Sequence, residues 1–243
     1  IRAVAGLGEI RAGDDLGAML AGAAAPREGE VVVVSQKVVS KAEDRVARLA
    51  EVEPGERAMS LARELEKDPR LVELILREST TVIRAARGVL IVETRSGLIC
   101  ANAGIDSSNV PGDDTVALLP ENPDGSARRL RTEIRAAMET GPAVVIADSF
   151  GRPWRLGQTD VAIGCAGLSP LDDWRGRADR DGRPLAATAI AIADEVAAAA
   201  SLARDKTSSA PAAVISGLER YVTADDGPGA AALRRPREED LFR

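Results

Sequence analysis

Three polar stretches hold the residues best suited to chemistry, and each adjoins a run that reads as a buried strand. The first is Ser35-Gln36-Lys37-Val38-Val39-Ser40-Lys41, directly behind four consecutive valines. Lysines and hydroxyls at a strand end hold phosphate oxygens through charge-assisted hydrogen bonds. The same residues also make an ordinary solvated strand-to-turn segment. The second is Asn102-Ala103-Gly104-Ile105-Asp106-Ser107-Ser108-Asn109, with one carboxylate, two amides and two hydroxyls. Asp106 suits a hard cation and the amides suit a polar ligand, although a well-capped turn needs the same residue types. The third is Asp148-Ser149-Phe150-Gly151-Arg152-Pro153-Trp154-Arg155. An acid closing a hydrophobic strand is a common metal-binding carboxylate, and the arginines suit anionic substrate groups. A surface turn with a paired acid is the alternative.

Composition narrows the chemistry. The chain has no histidine, which excludes a Ser-His-Asp triad, a Cys-His pair and a His-ligated zinc. A metal would rest on oxygen ligands, which points to Mg²⁺ or Mn²⁺. Cys100 and Cys165 form no CxxC motif and read as reduced core thiols, in keeping with the cytoplasm. A net charge of -6 argues against bulk nucleic-acid binding. No apolar run approaches the ~20 residues of a membrane span, and no secretory leader is expected from the opening residues. Separated aspartates, lysines and arginines without histidine point to phosphoryl chemistry, in which the protein positions groups and neutralises charge.

The elements that must position these groups can be read from pattern. With 243 residues, the chain makes one large domain or two small ones. A short strand and loop are expected over 1–10, then a helix over 16–24 capped by Asp15. A strand follows over 31–34. A helix over 56–67 carries an apolar stripe of Met59, Leu61, Ala62 and Leu65, and Asp68-Pro69 starts another that runs to about Arg77. Strands are expected over 80–83 and 89–93, with a turn at Arg95-Ser96-Gly97 between the second and an ordered loop over 100–125. A basic helix is predicted over 126–139. A strand over 144–147 should end abruptly at Asp148-Ser149, before a polar region over 150–185. A helix over 186–203, a strand over 212–215 and an exposed tail from Asp225 complete the chain. There is no regular βαβ rhythm, no P-loop and no G-x-G-x-x-G at a strand–helix junction. The expected class is therefore α+β, with mixed sheets and helices rather than a P-loop or Rossmann fold.

The segments GLGEIRAGDDL, VVVVSQKVVSKAEDR, ICANAGIDSSNV, PDGSA and ADSFGRPWRLGQTDVAIGCAGL, in this order, resemble the coenzyme F420-0:gamma-glutamyl ligase family over nearly the full length. The closing EEDLFR resembles the end of the ligase domain in bifunctional members, which continue into a flavin domain. The resemblance implies one ligase domain over 1–243, built as two intertwined subdomains and assembled as a homodimer. It implies GTP-dependent addition of L-glutamate to a deazaflavin precursor, with Mg²⁺ or Mn²⁺ and in some members K⁺. An amide does not form readily from a free carboxylate, so an acyl phosphate is expected, with release of GDP and phosphate. By the same resemblance, Leu7, Gly8, Glu9 and Ile10 contact the nucleotide, as do Ser35, Gln36, Lys41 and Asn109. Asp106, Asp148 and Ser149 match metal ligands, and Asp106, Asp148 and Lys41 are the expected catalytic groups. One departure lies at 204–210, where Lys206 falls near a glutamate of archaeal members. A lysine there is expected to meet nucleotide phosphate.

Overall fold

The structure is a computed structural model that describes residues 1–108, 112, 114–204 and 210–242. Its centre is a five-stranded sheet in the order β1-β12-β2-β8-β9. The chain enters it through β1 (Arg2–Val4), turns into helix α1 (Leu16–Ala24) and returns as β2 (Val31–Ser35). Asp15 caps α1 by accepting from the Ala18 amide at 2.9 Å. Helix α2 (Gln36–Ala42) follows β2 without a linker, where the sequence reading had a strand-to-turn segment.

A second group of elements is inserted before the chain returns to the central sheet. It comprises β3 (Val46–Arg48), α3 (Glu56–Leu65), α4 (Pro69–Arg77), β4 (Ser79–Ala86), β5 (Val89–Thr94), β6 (Ile99–Ala101) and β7 (Thr115–Ala117). Strands β4, β5 and β6 form an antiparallel sheet, and β3 pairs with β7. Helices α3 and α4 cover the three-stranded sheet with Ala58, Ala62, Leu65, Val72 and Ile75. Met59, expected in that stripe, is exposed, and Ala58 takes the inward position instead.

The chain then forms α5 (Pro123–Met138), β8 (Ala143–Arg152), β9 (Arg155–Ala166), β10 (Asp172–Asp173), β11 (Ala189–Ile190), α6 (Ile192–Ala203) and β12 (Ala212–Ile215). Strands β2 and β8 are parallel, while β12 and β9 flank them antiparallel. Alternation along β2 sends Val32 and Val34 to the face covered by α1 and α5, and Val31 and Val33 to the face covered by α6. A continuous valine run is what a strand buried on both faces requires. Both α+β class and mixed sheets agree with the sequence reading.

Several boundaries differ. α5 begins at Pro123, because Asn122 caps it by accepting from the Gly125 amide at 3.0 Å. α6 begins only at Ile192, because Ala189 and Ile190 pair with Asp173 and Asp172. The strand predicted to stop at Asp148 continues to Arg152 and turns back as β9 inside the region read as polar and irregular. The tail is not uniformly exposed. Arg131, 2 % exposed, donates to the carbonyls of Thr223 and Asp225 and to the Asp226 carboxylate. Asp124 accepts from the amides of Ala230 and Ala231, and Ala230 is buried.

Candidate functional site

Ser35, the last residue of β2, is the register partner of Ala147, midway along the longer parallel strand β8. The residues that follow them, Gln36-Lys37 and Asp148-Ser149, are therefore set side by side by the sheet. In open sheets the carboxyl ends of parallel strands are where ligands collect. The third component, Asp106, comes from the inserted group.

Asp106 is held in place by backbone strain and hydrogen bonds. Asn102, Ala103 and Gly104 have φ of 52, 55 and 69, three successive left-handed residues. Non-glycine residues in that region cost of order 1–3 kcal/mol each and persist only where the surroundings fix them. Ala103 is buried, and a Cβ on Gly104 would lie 2.7 Å from the Leu119 side chain. The Asn102 amide oxygen ties the turn to β5 by accepting from the Leu90 amide at 3.2 Å. Asp106 then pairs with Ala117 of β7 in both directions, at 3.1 and 2.8 Å. Its carboxylate accepts from the Ser108 amide at 2.7 Å and from Lys37 Nζ at 2.9 Å. These hydrogen bonds hold the Asp106 carboxyl below its ordinary range, although burial pushes the other way as the largest influence.

Asp148 has the opposite character. Burial, with the charges of Asp106 and Asp160, pushes its carboxyl up to about 7, while the Ser149 amide and Lys37 pull it down. Cys100 of β6 lies close enough to feel Asp148, and burial together with that charge pushes the thiol up to about 12. Ser149, the next residue, donates its hydroxyl to Asp160 Oδ1 at 2.6 Å. Lys37, Asp106 and Asp148 are therefore one electrostatic cluster, and Asp160, bonded to Ser149 and paired with Arg204, lies close enough to act on Asp148.

The predicted nucleotide-contacting residues fall into several environments. Lys37 and Lys41 are one turn apart on α2 and share a face. Lys41 Nζ reaches Glu9 Oε1 at 2.7 Å. Glu9, Ile10 and Lys41 line a groove of about 940 Å³ that extends to Arg48, Arg77 and Thr115. Asp106 and Asp148 do not line it. Leu7 and Ile10 bury their side chains in the main core, which leaves their backbone for any ligand. Gly8, at φ 68, makes the turn between them. Ser35 precedes α2 without a side-chain capping bond. Gln36 is 1 % exposed and accepts from Ser40 Oγ at 2.9 Å, but its amide nitrogen has no hydrogen-bond partner among the described residues. Asn109 and Lys206 lie outside the described residues. Arg152 folds onto the carbonyls of Leu156 and Gly157 in its own hairpin, away from the cluster.

Sequence reasoning read Lys37 only as one of two phosphate-holding lysines, not as the partner of Asp106, and left Asp160 out. Lys37 stood inside the first polar stretch, and its i,i+4 relation to Lys41 was the available signal. Asp160 had none, because the strand that carries it was not foreseen.

The end of β2, the middle of β8 and a strained turn thus bring Lys37, Asp106 and Asp148 together. The particular family follows from comparison with known proteins. Residues 6–217 match the family model described as F420-0:Gamma-glutamyl ligase. A coenzyme F420:L-glutamate ligase of Methanothermobacter thermautotrophicus is 43% identical over 247 residues, covering 99% of this chain and 97% of the relative. One of Methanopyrus kandleri is 42% identical, covering 97% of this chain and 94% of the relative. One of Haloarcula marismortui is 44% identical, covering 99% and 94%. The chain belongs to the F420-0:gamma-glutamyl ligase family. No helix among the described residues is long and apolar enough to cross a membrane.

Proposed function

We propose that this chain is a GTP-dependent ligase that joins L-glutamate to the deazaflavin precursor coenzyme F420-0 and extends its gamma-glutamyl tail. The observation that carries the reading, beside family membership, is the Lys37–Asp106 pair at 2.9 Å next to Asp148, whose buried carboxyl feels both Asp106 and Asp160. A carboxyl pushed upward by burial and, less strongly, by its acidic neighbours is an incomplete electrostatic arrangement that a cation would relieve. All the donors are hard oxygens, which fits Mg²⁺ or Mn²⁺. Among the described residues no three acidic or cysteine side chains converge as a ligand set of their own. A cation at Asp106 and Asp148 would therefore complete its shell with water and phosphate oxygens, while the Ser149 hydroxyl, which strand alternation sends to the other face of β8, would meet a second cation. When bound, the metal supplies charge neutralisation across the nucleotide phosphates.

The protein's own groups do the positioning. The acceptor carboxylate attacks the γ-phosphorus of GTP, forming a carboxyl–phosphate bond as the bond to GDP breaks. The glutamate amine then displaces phosphate from the acyl carbon, forming the amide and losing a proton. Lys37 and Lys41 offset phosphate charge from one face of α2. Glu9, Ile10 and the backbone of Leu7 and Gly8 border the nucleotide in the groove. Gln36 donates its unpaired amide to the same ligand. Asn109 and Lys206 are further nucleotide contacts in this proposal.

The working form is a cytoplasmic homodimer of intertwined two-part protomers. Trp154 and Leu156, 87% and 99% exposed at the tip of the β8–β9 hairpin, support a surface that a second copy covers.

The test is incubation with GTP, L-glutamate and precursor, with and without Mn²⁺ and with K⁺ varied, read by mass spectrometry. Product heavier by glutamyl units together with GDP is the expected result. Metal-dependent GDP release without glutamyl product would instead mark a GTPase or phosphotransferase.

A further inference from the structure

We infer that Asp160 is a positioning residue of the acidic site, fixing the Ser149 hydroxyl so that it meets a bound cation only as an acceptor, with Arg204 holding Asp160 in place. The inference rests on the reading of Asp148 and Ser149 as the edge of a cation site.

Ser149 and Asp160 are register partners on adjacent strands β8 and β9. The serine donates to Asp160 Oδ1 at 2.6 Å. A serine hydroxyl has one proton and two lone pairs. With the proton committed to Asp160, the oxygen cannot donate to a phosphate or a carboxylate. It can only accept, and what it accepts best is a cation. A free serine would rotate between both roles.

The other oxygen of Asp160 is fixed as well. Asp160 Oδ2 receives Arg204 Nη2 at 2.5 Å, and the two side chains are 13% and 8% exposed. Arg204 Nη1 also donates to the Pro211 carbonyl at 3.2 Å, just before β12. The carboxylate is thus anchored at both ends, one of them through a guanidinium braced against another strand of the sheet. Arg204 also offsets the Asp160 charge, so Asp160 acts as an aimed acceptor rather than as one more free acid beside Asp106 and Asp148. Hydrogen-bond partners of metal ligands commonly contribute about 10–100-fold to metal affinity.

Asp160→Asn keeps shape but cannot keep this pattern. If its amide oxygen faces Ser149, its NH₂ faces the Arg204 guanidinium, donor against donor. If it is reversed, the NH₂ donates to Ser149 and occupies the lone pair meant for the cation. The test measures Mn²⁺ binding in the presence of GDP from the electron paramagnetic resonance of free Mn²⁺, alongside initial ligase rates as Mn²⁺ is varied. Asp160→Asn and Ser149→Val are each expected to raise the Mn²⁺ Kd by about 10-fold, and Ser149→Thr to leave it near wild type. The double variant Ser149→Val/Asp160→Asn should bind no more weakly than Ser149→Val alone. Saturating Mn²⁺ should restore most of kcat in Asp160→Asn.

A wild-type Mn²⁺ Kd in folded Asp160→Asn, or effects that multiply in the double variant, would overturn the inference. If Asp160→Asn does not fold, Arg204→Lys takes its place: it should weaken Mn²⁺ binding in the Ser149 protein and not in the Ser149→Val protein, and equal weakening in both overturns the inference. Absence of Mn²⁺ binding by the wild-type protein with GDP would reject the cation site itself, a distinct outcome that removes this inference with it.

Discussion

Lys37 Nζ sits 2.9 Å from Asp106 Oδ2, joining the end of β2 to the strained turn that follows β6. The pair is partly open to solvent, with side chains 23% and 39% exposed, so it adds little to stability. Its value lies in charge: Lys37 is the cation that pulls the Asp148 carboxyl down.

Lys37→Met keeps the length of the stem and removes that charge. Expected is a loss of about 10²-fold or more in kcat/KM for GTP, the usual scale for removing one aimed electrostatic group. Thermal stability should change by no more than about 1 kcal/mol. Steady-state kinetics beside a melting curve checks both, and a wild-type kcat/KM would leave Lys37 as a loop fastener only.

Asp148→Asn should separate stability from activity. The native carboxyl is pushed up to about 7 by burial and by Asp106 and Asp160. A neutral amide escapes that strain, so the variant is expected to gain about 1 kcal/mol at pH 8, or about 2–4 °C in Tm. Ligation should fall below detection by mass spectrometry, because an amide is a poor ligand for a hard cation. Wild-type turnover in this variant would remove Asp148 from the mechanism.

What the sequence disclosed depended on whether a residue's role is local. The cap at Asp15, the proline after Asp68 and the valines of β2 act on their own neighbours, and the structure has them where pattern reading put them. The β8–β9 hairpin could not be read, because residues 149–158 are largely exposed and carry no apolar alternation; only the partner strand's hydrogen bonds define it. Asp160 was missed with it. The tail looked solvated because nothing near Asp225 in sequence announces the Arg131 guanidinium that gathers its carbonyls. Asp106 and Asp148 were legible as types in polar stretches, but their nearness comes from long-range strand order.

Gln36 is nearly fully buried, yet its amide nitrogen has no partner among the described residues. Leaving a buried donor unmade costs about 1–3 kcal/mol, which a ligand contact would offset. Gln36→Met fills similar volume without the donor. It is expected to melt at or above the wild-type temperature and to bind GTP about 10-fold more weakly, as seen by calorimetric titration. A variant with unchanged affinity would place the Gln36 amide outside the nucleotide site.

Asp194 offers a pH dependence away from the acidic cluster. It stands in the first turn of α6 and accepts from the Ala162 amide at 2.9 Å. Burial raises its carboxyl above the ordinary 3.8, outweighing the pull of that hydrogen bond. A carboxyl raised on folding holds its proton more tightly in the native state, so its contribution is fully present below 3.8 and is lost as pH rises through the folded value. Asn does not titrate and keeps an oxygen for Ala162. The Tm of Asp194→Asn minus that of wild type should therefore grow as pH increases from about 3 and then level off once Asp194 is ionised in the folded protein. A difference that stays flat across that range, or shrinks as pH rises, would show that burial does not dominate at Asp194.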